Sequence, residues 1–268
     1  MSRTSEGRAL TQAERVRANA RAVTLGRRVS RHFGFYMRPD NIDARRSEFV
    51  ARVTAETVAV ADRQRKATAS YLRRYAAAEG ENLTVVTPTL STASVAETIT
   101  LSGPVAFKAA KARGADDAHA LALARTRASM AARGIVLDAQ RRTTIGTAKA
   151  NGGRWRRVTD GNPCAFCAML AGRGPVYAED TVDFEAHGQC GCTSEVCFET
   201  VDEWVRQYAT DTETAWINAY FDAAEDASDS HEPRVAPVRK KGRERDTVLY
   251  RMRRQHPDLF HDGVYPRH

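Results

Sequence analysis

The 268-residue chain has no run of about 18 apolar residues, so no α-helix of it can span a bilayer. Its opening stretch, MSRTSEGRALTQAERVRANAR, lacks the apolar core of a secretory signal. The protein is therefore expected to fold in a cytoplasm, where thiols stay reduced and disulfides are rare. No phosphate-cradling Gly-x-x-x-x-Gly-Lys, no Gly-x-Ser-x-Gly and no His-Glu-x-x-His occurs, which excludes the common nucleotide-hydrolase, α/β-hydrolase and zinc-protease signatures. Acid is scarce as well: 33 Asp and Glu stand against 41 Lys and Arg, a formal net charge of +8. With 42% hydrophobic residues, the chain can still bury a substantial core.

The charge is unevenly placed. Residues 1–48 carry eleven Arg against five acids, net +6, and residues 233–268 carry ten Lys or Arg against four acids, again net +6. Between them, residues 199–232 hold ten acids and one Arg, net −9. Basic ends around an acidic segment point to contact with polyanions, DNA among them, or with acidic protein surfaces.

Hydrophobic spacing predicts a helix over residues 10–34, through Ala13, Val16, Ala20 and Val23, ended by Pro39. A longer one follows from about Ala44 to Ala78, and GENLTVVTPTLST (80–92) reads as a connection. Asp116 and Asp117 suit the first turn of a helix through Met130. Gly134 is expected to separate that helix from another ending near Gly152. At Gly152 the texture changes: Arg154–Thr159, PVY and TSEVCFE are short strand candidates. From Val201 the spacing of Val201, Trp204, Val205, Tyr208, Trp216, Ile217, Tyr220 and Phe221 predicts an amphipathic helix whose aromatics are core. Order is expected to end after EDASDSHEP.

The fold class is thus mainly α, with a small α+β, zinc-knuckle-like module. Five segments are expected: a basic helical arm (1–40), a helical domain (41–151), a Cys/His module (152–200), an acidic amphipathic helix (201–228) and a basic flexible tail (229–268). Within that tail, residues 239–254 set Val248, Leu249, Tyr250 and Met252 among eight basic residues and two acids. That mixture reads as a docking patch for an acidic surface: a protein partner first, because DNA binding needs no apolar cluster, with DNA or the chain's own acidic helix at 199–232 as alternatives.

Cysteine is sparse too, five in all, but four of the five fall within NPCAFCAMLAGRGPVYAEDTVDFEAHGQCGC (162–192). Cys164-x-x-Cys167 on a tight turn can aim two sulfurs at one ion. His187-x-x-Cys190-x-Cys192 offers three more donors, so five candidates stand for four tetrahedral positions. Cys164, Cys167 and His187 are the first choices, and one of Cys190 or Cys192 closes the set, with Cys192 slightly favoured. Cys197 reads as a buried small hydrophobe. A redox role would need a βαβ setting, which a mostly helical chain lacks. PCAFC also matches half of a zinc deaminase signature, but in the upstream AHALA the histidine is His119 and the proton-shuttling acid is replaced by Leu121. The broader rival is a zinc-dependent protein that binds or processes nucleic acid.

The stretch GRWRRVTDGNPCAFCAMLAGRGPVY, followed by DFEAHGQCGCTSEVCF, resembles the module of tailed-phage head morphogenesis proteins, the Mu F-like minor capsid family. CAFCAML and GPVY are most similar to versions from phages of actinobacteria. The match covers roughly residues 100–200, and a long helical region precedes it, as in that family. The resemblance implies a non-enzymatic virion protein, incorporated in few copies inside the capsid near the portal. It implies the portal protein as partner, with scaffold or major capsid protein beside it, and a role in prohead assembly or DNA packaging. Assembly would take place in the host cytoplasm. Some members lack the Cys-x-x-Cys half, so the implied zinc is structural.

Overall fold

A computed structural model describes residues 2–177, 184, 186, 190–229 and 247–263. Its elements, in order, are α1 (Ser5–Tyr36), α2 (Ile42–Glu79), α3 (Thr92–Thr100), a π-turn (Leu101–Val105), α4 (Ala106–Ala112), α5 (Asp117–Ala150), β1 (Arg154–Val158), α6 (Ala165–Gly172), β2 (Thr193–Cys197), α7 (Val201–Glu203), a second π-turn (Trp204–Tyr208), α8 (Asp211–Asp229) and α9 (Val248–Gln255). The architecture is mainly helical, with one two-stranded antiparallel ribbon.

The body is a bundle of α1, α2 and α5, the three longest helices. Ala120, Ala124, Ala128 and Ala132 recur every fourth residue of α5 and are all fully buried, as are Ala18 and Ala22 of α1. Such small side chains bring helix axes close together. Leu25, Val29 and Phe33 of α1 fill the remaining space against Phe49, Val53 and Val60 of α2. Phe33 and Phe49 meet edge to face, 5.4 Å between ring centroids. The alanine-rich run does pack tightly, but the expected break at Gly134 does not occur: α5 runs unbroken through it. A mid-helix glycine costs about 1 kcal/mol, which the packing of α5 against two long neighbours offsets. Pro104 lies inside the first π-turn; having no N–H to donate, it disturbs the regular ladder there.

The ribbon sits against the ends of α2 and α5, with Arg154 paired to Cys197 and Val158 to Thr193. Tyr71, Leu72 and Tyr75 of α2 and Ile145 and Ala148 of α5 receive Trp155 and Val196. Tyr75 donates its hydroxyl to the Val196 carbonyl at 2.9 Å. PVY forms no strand: Tyr177 makes only a single bridge to Trp155. Among the described residues no third strand pairs with the outer edge of β2. Instead the Gln140 amide of α5 mimics one, donating to the Ser194 carbonyl at 2.8 Å and accepting from its N–H at 3.1 Å.

A third cluster joins α6, α8 and α9 through Ala165, Ala168, Trp216, Ala219, Met252 and Phe260. A side chain at Gly172 would meet the Glu213 carbonyl at 2.9 Å, so α6 and α8 touch through backbone there. Two expectations are corrected in this region. The predicted single helix breaks at the extended Ala209, and α8 restarts with Thr210 and Glu213 bonding each other's backbone N–H. Trp204 and Trp216 are buried as expected, but Val205 and Phe221 are exposed. The tail is corrected as well. Residues 247–263 are ordered: Met252 is fully buried, and Val248 and Leu249 pack on the α6–α8 cluster, so the segment takes the intramolecular alternative on the acidic helix.

Beneath the ribbon lies a buried ion network. Glu195 is fully buried and accepts from Arg156 Nε at 2.6 Å, Ser2 Oγ at 2.6 Å and Thr11 Oγ1 at 2.8 Å, while Arg156 also reaches Glu213 at 2.5 Å. Burial opposes ionisation of Glu195, but Arg156 and the two hydroxyls outweigh it and hold its pKa down at about 2. A depressed carboxyl contributes stability that is full above its ordinary value near 4.5 and is lost as pH falls through about 2. The melting temperature should therefore drop across this acidic window. Glu195→Gln should remove part of that drop and cost about 3 kcal/mol at neutral pH, because it strips a partner from a buried guanidinium. A variant whose melting profile from pH 2 to 7 matches the parent's would refute the role given to this pair.

Candidate metal centre

Cys164, Cys167, Cys190 and Cys192 form one buried cluster, each no more than 7% exposed. Three pieces of chain bring them together. Cys164 is the N-cap of α6: its sulfur accepts the Cys167 N–H at 3.4 Å, which turns the Cys-x-x-Cys sulfurs towards one point. Pro163 precedes it, and Asp262 from the C-terminal segment accepts the Ala165 N–H at 2.9 Å. The Cys190–Cys192 loop is clamped from two helices. Arg141 of α5 donates to the carbonyls of both cysteines at 2.8–3.0 Å, and Asn19 of α1 donates to the Gly191 carbonyl at 2.9 Å. A Cβ on residue 191 would stand 2.3 Å from Asp160 Oδ2 and 2.9 Å from Asn19 Oδ1, so the loop fits only as glycine without local movement.

The sulfurs of Cys167, Cys190 and Cys192 all lie within 4.8 Å of one another and could hold a metal ion. Cys167 and Cys190 are 3.6 Å apart. Tetrahedral zinc–thiolate bonds of about 2.3 Å place neighbouring sulfurs about 3.8 Å apart, so the spacing fits. The donors are soft and buried, and all five cysteines are free thiols. Hydrogen bonds from Cys167 and Cys192 hold the Cys190 thiol far below its ordinary range. Bonds with Cys164, Cys190 and Cys192 push Cys167 far above it. Cys164 belongs to the same buried cluster, next to Cys167, but its sulfur is not among the three that lie within 4.8 Å of one another.

Positive charge is already in place. Arg157 of β1 is 2% exposed and donates to the Cys167 and Cys190 sulfurs at 3.5 and 3.6 Å. Its guanidinium also lies 3.8 Å from the Phe184 ring centroid, and Arg141 lies 4.5 Å from the same ring. Strand alternation explains the partition. Trp155 and Arg157 share one face of β1, and both meet Phe184. Arg156 points to the other face, towards Glu195.

The five sequence candidates thus divide. Cys164, Cys167, Cys190 and Cys192 converge; Cys190 and Cys192 both belong to the cluster, where one of them was expected to suffice. His187 lies outside the described residues. Cys197 shares the Glu195 face of β2, away from the cluster, and burial pushes its thiol up to about 12. His119 lies in the first turn of α5, 22 residues before Arg141, which is about 33 Å along a helix. It cannot serve a deaminase-like centre beside these thiols. Sequence reasoning missed Arg141 and Arg157. The signal for Arg157 was the Arg-Arg pair on a short strand beside Cys-x-x-Cys, while nothing local marks Arg141.

Substituting Cys167, Cys190 or Cys192 by Ser should each lower the metal content of freshly purified, reduced protein, whereas Cys197→Ala should leave it unchanged. Elemental analysis by mass spectrometry reads the difference. Equal metal in all four variants would show that the cluster is not the site.

The family model described as VG15 protein matches residues 34–223. No curated protein and no solved structure matches the chain.

Proposed function

The chain belongs to the VG15 protein family, a phage-associated family, and from that premise we propose that it is a structural head protein of a tailed bacteriophage. In this reading it is a minor capsid, head morphogenesis protein of the Mu F-like kind, held inside the capsid near the portal. It acts in prohead assembly or DNA packaging, with the portal protein as its principal partner and scaffold or major capsid protein beside it. It carries no catalytic activity.

The observation that carries the reading is the extent of the family match. It runs from the end of α1 through most of α8, so α2, α5 and the cysteine cluster fall within one family unit rather than a carrier with an appended module, while nearly all of α1 lies outside the match. The enclosure of the cluster adds to it. A metal held by four buried thiols has no open position for substrate, whereas catalytic zinc keeps one. A zinc enzyme acting on nucleic acid would need that open position beside a carboxylate.

The metal in this reading is zinc, bound by Cys164, Cys167, Cys190 and Cys192. Arg157 offsets part of the −2 charge that four thiolates leave around Zn²⁺. The ion pins α6 and the Cys190–Cys192 loop to each other, supplying on the order of 10 kcal/mol of apparent binding free energy to a region with little core of its own.

Purified protein should contain about one zinc per chain. Cys164→Ser should release it and expose 152–200 to proteolysis, while His187→Ala should retain it. Retention of zinc by Cys164→Ser with loss in His187→Ala would replace one thiol of the set by the imidazole. The virion assignment is checked by mass spectrometry of purified phage heads, where the chain should appear in few copies relative to the major capsid protein. Its absence from both proheads and mature heads would contradict the assignment.

A further inference from the structure

Helix α1 carries more arginine than its packing uses. Arg3, just before it, serves Glu79 and Glu81; Arg8 serves the backbone of Ser2 and Arg3; Arg21 serves Gln64. Arg17, Arg27, Arg28 and Arg31 differ. All four are exposed, and none forms an ion pair among the described residues. At 100° per residue they fall within an arc of about 100°. That arc lies opposite the buried stripe of Ala18, Ala22, Leu25 and Val29.

Between these arginines the same face carries Ala20 and Thr24, so the guanidinium groups stand above a low floor. From Arg17 to Arg31 the row spans about 21 Å of a straight helix. The one carboxylate in the arc, Glu6, lies in the first turn, about 16 Å before Arg17. A row of unpaired arginines on a rigid rod, with small residues between them and no acid, is suited to a regular line of phosphates. Arginine matches phosphate oxygens bidentately, and a duplex of this length presents about twelve phosphate charges. An acidic protein surface is the less fitting occupant. Protein interfaces have apolar centres, and here the exposed apolar residues, Val16 and Phe35, lie at the margin and at the far end of the row.

We propose that the outer face of α1, through Arg17, Arg27, Arg28 and Arg31, binds the sugar-phosphate backbone of double-stranded nucleic acid without reading its sequence. The contact is one of charge alone, so it should follow counter-ion release. It is independent of the metal, because the row sits on the bundle and not on the ribbon. It deepens the head-protein reading by naming one partner surface, yet it is tested without any particle, so either can fail alone.

The test is fluorescence anisotropy of the full-length, zinc-loaded protein with a labelled 30-bp duplex of arbitrary sequence, across a salt series. Four phosphate contacts predict a log–log salt slope of magnitude about 3.6, and each single Arg→Gln substitution at the four positions should reduce it by about 0.9. The quadruple variant R17Q/R27Q/R28Q/R31Q should lose at least about tenfold in affinity at low salt, with helix content and zinc content unchanged. If the quadruple variant folds poorly, the four singles carry the test. Parental affinity and slope in these variants would place the contact elsewhere and overturn the proposal. So would failure of the parent protein to bind duplex at low salt. Displacement by polyglutamate as effective as by unlabelled duplex at equal charge would assign the face to an acidic protein instead, and would equally overturn it.

Discussion

Arg141 reaches from the C-terminal third of the long helix α5 to the carbonyls of Cys190 and Cys192, and this contact is where the helical body takes hold of the cysteine cluster. A two-stranded ribbon is at best marginal alone in water. Here one edge is paired with β1, the other is bonded by Gln140, and the loop leading into β2 is fixed by Arg141 and Asn19. Each of these helps from α1 and α5 depends on the bundle being closed. The alanine column of α5 makes that closure possible. The cluster therefore sits at the end of a chain of dependences that begins with small side chains some 20 residues earlier.

The buried charges show a second economy. Arg156 and Arg157 are neighbours in β1 yet face opposite sides, one to carboxylates and the other to sulfurs. Either guanidinium would be costly in an apolar core without its partner. The partners are of different kinds: carboxylates of Glu195 and Glu213 on one side, cysteine sulfurs on the other. Arg157 thus ties the cysteine sulfurs to Phe184 and to the ribbon face beneath it.

Much of this was legible in the residues. The extents of α1 and α2, the helix start at Asp116–Asp117 and the spacing of Cys-x-x-Cys and Cys-x-Cys were readable because local geometry decides them, but the buried face of α1 was not: it packs through Ala18, Ala22, Leu25 and Val29, while Val16 and Ala20 of the expected apolar side are exposed. Three misreadings have physical causes. Gly134 looked like a boundary, but packing against two long neighbours overrides a cost of about 1 kcal/mol. Val248, Leu249 and Met252 looked first like a patch for an outside partner and only second like a clasp on the acidic helix, because sequence does not show that α6 and α8 leave an apolar surface for them. Arg141, Gln140 and Asn19 carried no signal, since their roles depend on distant backbone meeting them. Cys190 and Cys192 could not be separated by spacing, and the structure places both in the cluster.

The central claim is that four protein sulfurs enclose one metal ion with no position left for solvent. X-ray absorption at the zinc edge of the purified protein tests it most directly. The account predicts a single shell of four sulfurs at about 2.3 Å, with no nearer nitrogen or oxygen scatterer. A light-atom ligand at about 2.0 Å would contradict the enclosed four-thiol site.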